Sequence, residues 1–168
     1  PDGEMAVALD GTGGADVAAG RNIAGEPRDT LTFHEVRLSA DAAAPVGAGV
    51  SRATLYRRGA LARATMMSGA LERAMDLAVT YAQERQQFGR PISKFQAVQQ
   101  NLAVLAGQTA AALGASNLGI EALARNDPAA EEFRIAVAKT RVGDAATLAC
   151  EMAHQVRGAI GFSQEDAL

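Results

Sequence analysis

The sequence predicts a mainly α fold: three long antiparallel helices of a four-helix bundle, preceded by a few strands of an incomplete β-domain. Three observations carry this. From Ser51 onward, apolar residues recur at spacings of three and four through three successive stretches. Those stretches are parted by Gly89 with Pro91, and again by Asn126-Asp127-Pro128. Before them, Thr30–Leu38 alternates with period two among loops rich in Gly and Pro. The implied division is 1–50 for the β-domain segment with its linker and 51–168 for the bundle.

The N-terminal third opens on a short apolar run, Met5–Leu9, which GTGG then breaks. Asn22–Thr30 reads as a loop, and TLTFHEVRL after it as a strand, with His34 a surface or satisfied histidine. Two or three strands are too few to close a sheet, so partner strands are expected upstream on a longer chain. Pro45, Gly47 and Gly49 mark the boundary near residue 50.

The first helix is expected near 52–88, with Met67, Leu71, Ala74, Met75, Ala78, Val79 and Ala82 on one face. Unbroken, it would be about 55 Å long. Arg52, Arg57, Arg58 and Arg63 crowd its start, where a helix dipole disfavours cations. Either an anionic ligand answers them or they are solvated. The second helix, near 93–125, sets Leu102, Leu105, Thr109 and Leu113 in a stripe flanked by alanines. It carries no charge from Phe95 to Ile120, so it needs cover on several sides, and subunit contacts are the expected source. The third helix, near 129–157, has Asp127 as N-cap and Pro128 in its first turn. Its seam, Ile135, Ala138, Val142, Ala145, Ala149, Met152 and Val156, alternates three and four as in a left-handed bundle. Gly158 and Gly161 end it.

At 168 residues the chain can bury a real core. A net charge of −3 without a basic stripe argues against nucleic acid as a partner. The single Cys150 excludes an internal disulfide, fits a reducing cytosol, and reads as a small buried filler. With no signal-peptide pattern at Pro1, the expected location is cytoplasmic. Two histidines and one cysteine provide no metal-ligand spacing. The uncharged second helix holds Gln96, Gln99, Gln100, Asn101, Gln108, Ser116 and Asn117, too many polar groups for lipid. No membrane span is expected.

The corner between the first two helices, YAQERQQFGRPISKFQAVQQ (Tyr81–Gln100), attracts the functional reading. Gly89 suits a helix C-terminus, and Pro91 a position at or near the start of the next helix. Arg85, Gln87, Arg90, Lys94 and Gln96 surround the junction, and such donors beside a helix N-terminus suit a phosphate or pyrophosphate. A capped helix hairpin with a solvated rim is the plainer alternative.

ERQQFGRPISKFQAVQ resembles the R-x-QFG-x-PI-x-x-FQ signature of the acyl-CoA dehydrogenase family. HQVRGAIGFSQE (His154–Glu165) resembles its Q-x-x-G-G-x-G-F segment. The likeness runs from about Asn22 to Leu168. It implies the end of a middle β-domain and three bundle helices, the fourth helix following Leu168. It also implies FAD, held across a subunit boundary. The positions matching the ADP-binding ones are Arg85, Gln87, Phe88 and Gln96, and Gln155 and Gly158 would meet the FAD of a neighbouring subunit. An acyl-CoA substrate oxidised to 2-enoyl-CoA, an electron-transfer partner, and assembly into a dimer or tetramer, or with a related subunit, follow from the same likeness.

Three departures stand out. Ala159 replaces the second glycine of the motif, Ala60 an arginine the family often has near the active site, and Gly59 the glutamate of one subgroup. Glu165 is not identified as a base, so no catalytic residue is identifiable in the chain. A non-catalytic partner or scaffold subunit of the same fold, or an acyl-CoA oxidase, are the alternatives.

Overall fold

The computed structural model describes residues 5–7, 14–37, 39–47, 50–125 and 127–163. Most of GTGG, the second half of the run 5–9, Leu38, Asn126 and Glu165 lie outside the described residues. Contacts divide the chain into two units, Pro1–Thr54 and Leu55–Leu168, which are taken one at a time.

In the first unit, four three-residue strands form two antiparallel pairs. β1 (Met5–Val7) pairs with β4 (Ala43–Pro45), Ala6 opposite Ala44; β2 (Asp16–Ala18) pairs with β3 (Thr30–Thr32), Val17 opposite Leu31. β3 is shorter than the alternation from 30 to 38 suggested. The backbone turns at His34 and Glu35, and Glu35 has φ +46, a conformation that period-two sequence does not register. The Asn22 side chain and that of Glu26 close the intervening loop, where Asn22 Nδ2 donates to Glu26 Oε2 at 2.7 Å. Exposed His34 sits 3.3 Å from the Asp16 carboxylate.

In the second unit, α1 (Arg52–Glu84), α2 (Gln96–Arg125) and α3 (Pro128–Arg157) form an up–down–up bundle. α1 has the Ser51 hydroxyl accepting from the Thr54 N–H at its start. Asp127 caps α3 by accepting from the N–H groups of Ala129 and Ala130, both at 3.2 Å. The seam read along α3 is the core: Ile135, Ala138, Val142, Ala145, Ala149 and Val156 are buried, and Met152 packs against them. Leu61, Ala64, Leu71, Ala78 and Ala82 face it from α1, and Leu105, Ala112, Ala115 and Ala122 from α2.

α2 and α3 are the closely apposed pair, since mostly alanine and glycine stand between them. α1 docks through bulkier Leu61, Met67, Leu71 and Met75. The helices meet at Gly119, where a Cβ would lie 2.7 Å from Leu61 Cδ1 and 3.5 Å from Ala138 Cβ.

Several expectations change. Strands are not confined to the segment that precedes the bundle: β5 (Gln86–Gln87) and β6 (Arg90–Pro91) form a small ladder between α1 and α2. α1 accordingly ends at Glu84, not near Phe88. A single 3₁₀ turn, Ile92–Lys94, follows Pro91, so α2 begins at Gln96. Cys150 is exposed, not buried, because it falls between the buried positions Ala149 and Ala153. The Arg57 guanidinium at the start of α1 is answered from within, by Glu132 of α3 at 3.0 Å. Among the described residues, no helix is long and apolar enough to cross a membrane.

Candidate functional site

The corner is built by a tight hairpin. The Arg85 N–H still donates to the Tyr81 carbonyl at 2.8 Å, as a last helical bond. Gln86 then pairs with Pro91 and Gln87 with Arg90, leaving Phe88 and Gly89 as a two-residue loop. Both have positive φ, +53 and +77, the mark of a type I′ turn. Gly89 therefore serves the hairpin and not the helix end. Phe88 bears a cost of about 1–2 kcal/mol for its left-handed backbone.

On the inner side the corner is pinned. The Ile92 N–H donates to the Arg85 carbonyl at 2.8 Å, and Ile92 and Tyr81 pack against the core. On the outer side Phe95 is the hub. The Arg90 guanidinium lies 4.3 Å above its ring, and Phe88 forms a T-shaped pair with it, centroids 6.1 Å apart and planes at 83°. Arg90 is thus engaged, whereas no hydrogen bond or ion pair among the described residues holds the side chain of Arg85, Gln87 or Gln96. All three are exposed, and Phe88 is 89 % exposed. No acidic residue stands in the first turn of α2, whose leading N–H groups lack helical partners. A free guanidinium, amide donors and a bare aromatic face suit a ligand that joins phosphate to a planar ring.

A second patch closes α3. Gly158, with φ +65, is its C-cap and donates its N–H to the His154 carbonyl. A side chain there would meet no atom within 4 Å, so the backbone is open to close approach. Gln155 and Gly158 line an open groove of about 560 Å³ with Cys150, His154 and Phe162. His154 stacks on Phe162 with centroids 4.4 Å apart. Since α1 and α3 run parallel, both patches lie at the same end of the bundle. Of the predicted residues, then, Arg85, Gln87, Phe88 and Gln96 share one corner, and Gln155 and Gly158 the neighbouring patch.

Sequence reasoning missed the Phe95 hub and the contact of Arg157 with Tyr81, whose ring centroid is 4.9 Å from the guanidinium carbon. The second pairs residues 76 positions apart, which no local pattern signals. Of the departing positions, Gly59 and Ala159 are exposed and Ala60 is half-buried.

Residues 47–168 match the family described as acyl-CoA dehydrogenase, C-terminal domain. The chain is 34 % identical over 151 residues to 3-sulfinopropanoyl-CoA desulfinase of Paraburkholderia xenovorans, covering 85 % of this chain and 37 % of that protein. It is 33 % identical over 109 residues to the mitochondrial short-chain specific acyl-CoA dehydrogenase of Bos taurus, covering 64 % and 26 %. Its fold superposes on butyryl-CoA dehydrogenase of Megasphaera elsdenii with a TM-score of 0.82 at 28 % identity, over 94 % of this chain and 42 % of that one. The chain thus spans well under half the length of these proteins. From the family match over its helices and the likeness of its fold, the chain belongs to the acyl-CoA dehydrogenase family, of which it carries the C-terminal helical domain.

Proposed function

We propose that the whole protein is an FAD-dependent acyl-CoA dehydrogenase oxidising acyl-CoA thioesters to 2-enoyl-CoA. This chain supplies flavin-binding and oligomerising surfaces. In this reading residues 1–50 end the middle β-domain and the remainder is the bundle, to be completed by a fourth helix. The observation that carries it is the corner: an exposed guanidinium, Arg85, unengaged among the described residues, beside Phe88, whose ring is bare although its backbone is strained. The residues fit FAD, which has a pyrophosphate for the first and flat rings for the second. Bound there, FAD would supply the hydride acceptor.

Arg85 neutralises the pyrophosphate with two parallel N–H donors. Gln87 and Gln96 add amide donors, and Phe88 shields a ring face from water. Gln155 and the open backbone at Gly158 meet the same flavin, which is that of a neighbouring subunit, so that one ligand spans both patches. The uncharged face of α2, where Ala103, Val104, Ala106, Gly107 and Ala110 are exposed, is the surface that oligomerisation covers. The protein works in the cytoplasm and passes its electrons to a separate acceptor.

A second reading rests on the desulfinase likeness, which covers most of this chain. In it the fold handles a CoA thioester that loses a 3-substituent without net dehydrogenation. The test is to purify the full-length protein, record its flavin spectrum, and add butyryl-CoA without oxygen. Bleaching of the flavin supports the dehydrogenase. An unbleached flavin with release of the sulfur group from 3-sulfinopropanoyl-CoA supports the second reading. A colourless, inert protein supports the non-catalytic subunit.

A further inference from the structure

We propose that Arg157 is a positioning residue: it latches the end of α3 to α1 and so sets flavin affinity without touching the flavin. The inference rests on the flavin reading above. Arg157 is the last residue of α3, two after Gln155 and one before Gly158. A cation in a helix's last turn is favoured by that helix's own dipole. Here its Nη1 instead donates across to the Leu77 carbonyl of α1, at 3.1 Å and partly buried. That carbonyl has a second lone pair to accept it besides the one used in the helix. The guanidinium also covers the Tyr81 ring at 4.9 Å.

Tyr81 is the residue whose carbonyl receives the Arg85 N–H. One side chain therefore fixes the Gln155–Gly158 patch against the very turn of α1 from which Arg85 departs. Arg157 and Tyr81 share a cleft of about 280 Å³ with Arg73, Leu77, Thr80 and Glu84, so among the described residues this end of the bundle is not otherwise filled. At the far end of the same two helices, Arg57 and Glu132 make the corresponding tie. A ligand that needs both patches is held only while their spacing is held. Loss of the latch leaves each patch intact but lets their separation vary, and the cost of restoring it falls on binding.

The test uses the full-length protein with Arg157→Leu, Arg157→Lys, Tyr81→Leu and Tyr81→Phe. The readouts are the flavin dissociation constant, the melting temperature, and amide exchange over residues 158–162. Losing a charged hydrogen bond together with a cation–π contact should weaken flavin binding in Arg157→Leu about tenfold or more. Exchange over 158–162 should rise by a similar factor. Arg157→Lys and Tyr81→Phe, which keep a cation and a ring, should stay within about threefold of wild type. Should Arg157→Leu not fold, Tyr81→Leu against Tyr81→Phe makes the same comparison with the Leu77 bond left in place. Flavin held equally by wild type and the leucine variants overturns the latch alone. A flavin-free wild type defeats the functional reading and this role with it. A drop in melting temperature without any change in flavin affinity reduces Arg157 to a structural residue and also overturns the proposal.

Discussion

Replacing Phe88 by asparagine separates what the fold needs at the hairpin tip from what a ligand needs. Asparagine tolerates the left-handed region far better than an aromatic residue. The substitution should recover about 1–2 kcal/mol of backbone strain at φ +53. Against this stands the lost edge contact with Phe95, about 0.5–1.5 kcal/mol for an aromatic pair. Little buried area is lost besides, because Phe88 is 89 % exposed. The two effects largely offset each other, so stability should move by no more than about 1.5 kcal/mol and the melting temperature by a few degrees at most. Flavin is another matter. A ring stacked on a planar base contributes about 1–3 kcal/mol, so affinity should fall by about five- to 150-fold. Phe88→Tyr, which keeps the ring, should bind as wild type does. The assay is a flavin titration of the full-length apoprotein beside a thermal melt. Wild-type flavin affinity in Phe88→Asn would refute the reasoning, as would a melt lowered by ten degrees or more.

Four further outcomes are expected. Arg85→Ala should weaken flavin retention about ten- to a hundred-fold at an unchanged melt, since no partner among the described residues holds its side chain, and Arg85→Lys should restore part of it; flavin absorbance per subunit after dialysis checks this. Gly119→Val should overpack the junction with Leu61 and Ala138 and cost about 1–3 kcal/mol in chemical denaturation. Asp127→Ala, which removes the acceptor for two N–H groups, should cost about 1 kcal/mol in the same experiment. Gly107→Arg places a charge on the bare face of α2 and should shift the full-length protein toward smaller species in sedimentation without unfolding it.

The long helices were legible because burial of one face leaves a period in the sequence. Six of the seven α3 seam positions read from spacing alone are buried and Met152 is partly so, while buried Glu131 and Ala153 lay outside that reading. The corner was legible as a place but not as a shape. Gly89 and Pro91 are equally compatible with a helix stop and with a hairpin, and nothing in a phenylalanine announces positive φ. What decides is the pairing of Gln86 and Gln87 with Arg90 and Pro91, which anchors the turn from outside it. Arg57 shows the same limit for charge. Its neighbours in sequence are cations and suggested an anionic ligand, but its partner Glu132 lies 75 residues away.

The near approach of α2 and α3 bears on how the bundle is made. They lie two residues apart in sequence and meet mainly through alanine and glycine, so their contacts close short loops. α1 must instead be gathered from farther along the chain to reach its partners on α3. Low sequence separation favours early formation, so the α2–α3 hairpin is the natural nucleus and α1 the late arrival. Substitutions along the alanine ridge should then slow refolding, while those at Leu61, Met67 or Leu71 should chiefly hasten unfolding. A nascent chain would meet α1 first yet could not use it. It waits, amphipathic and uncovered, for two helices still to be synthesised.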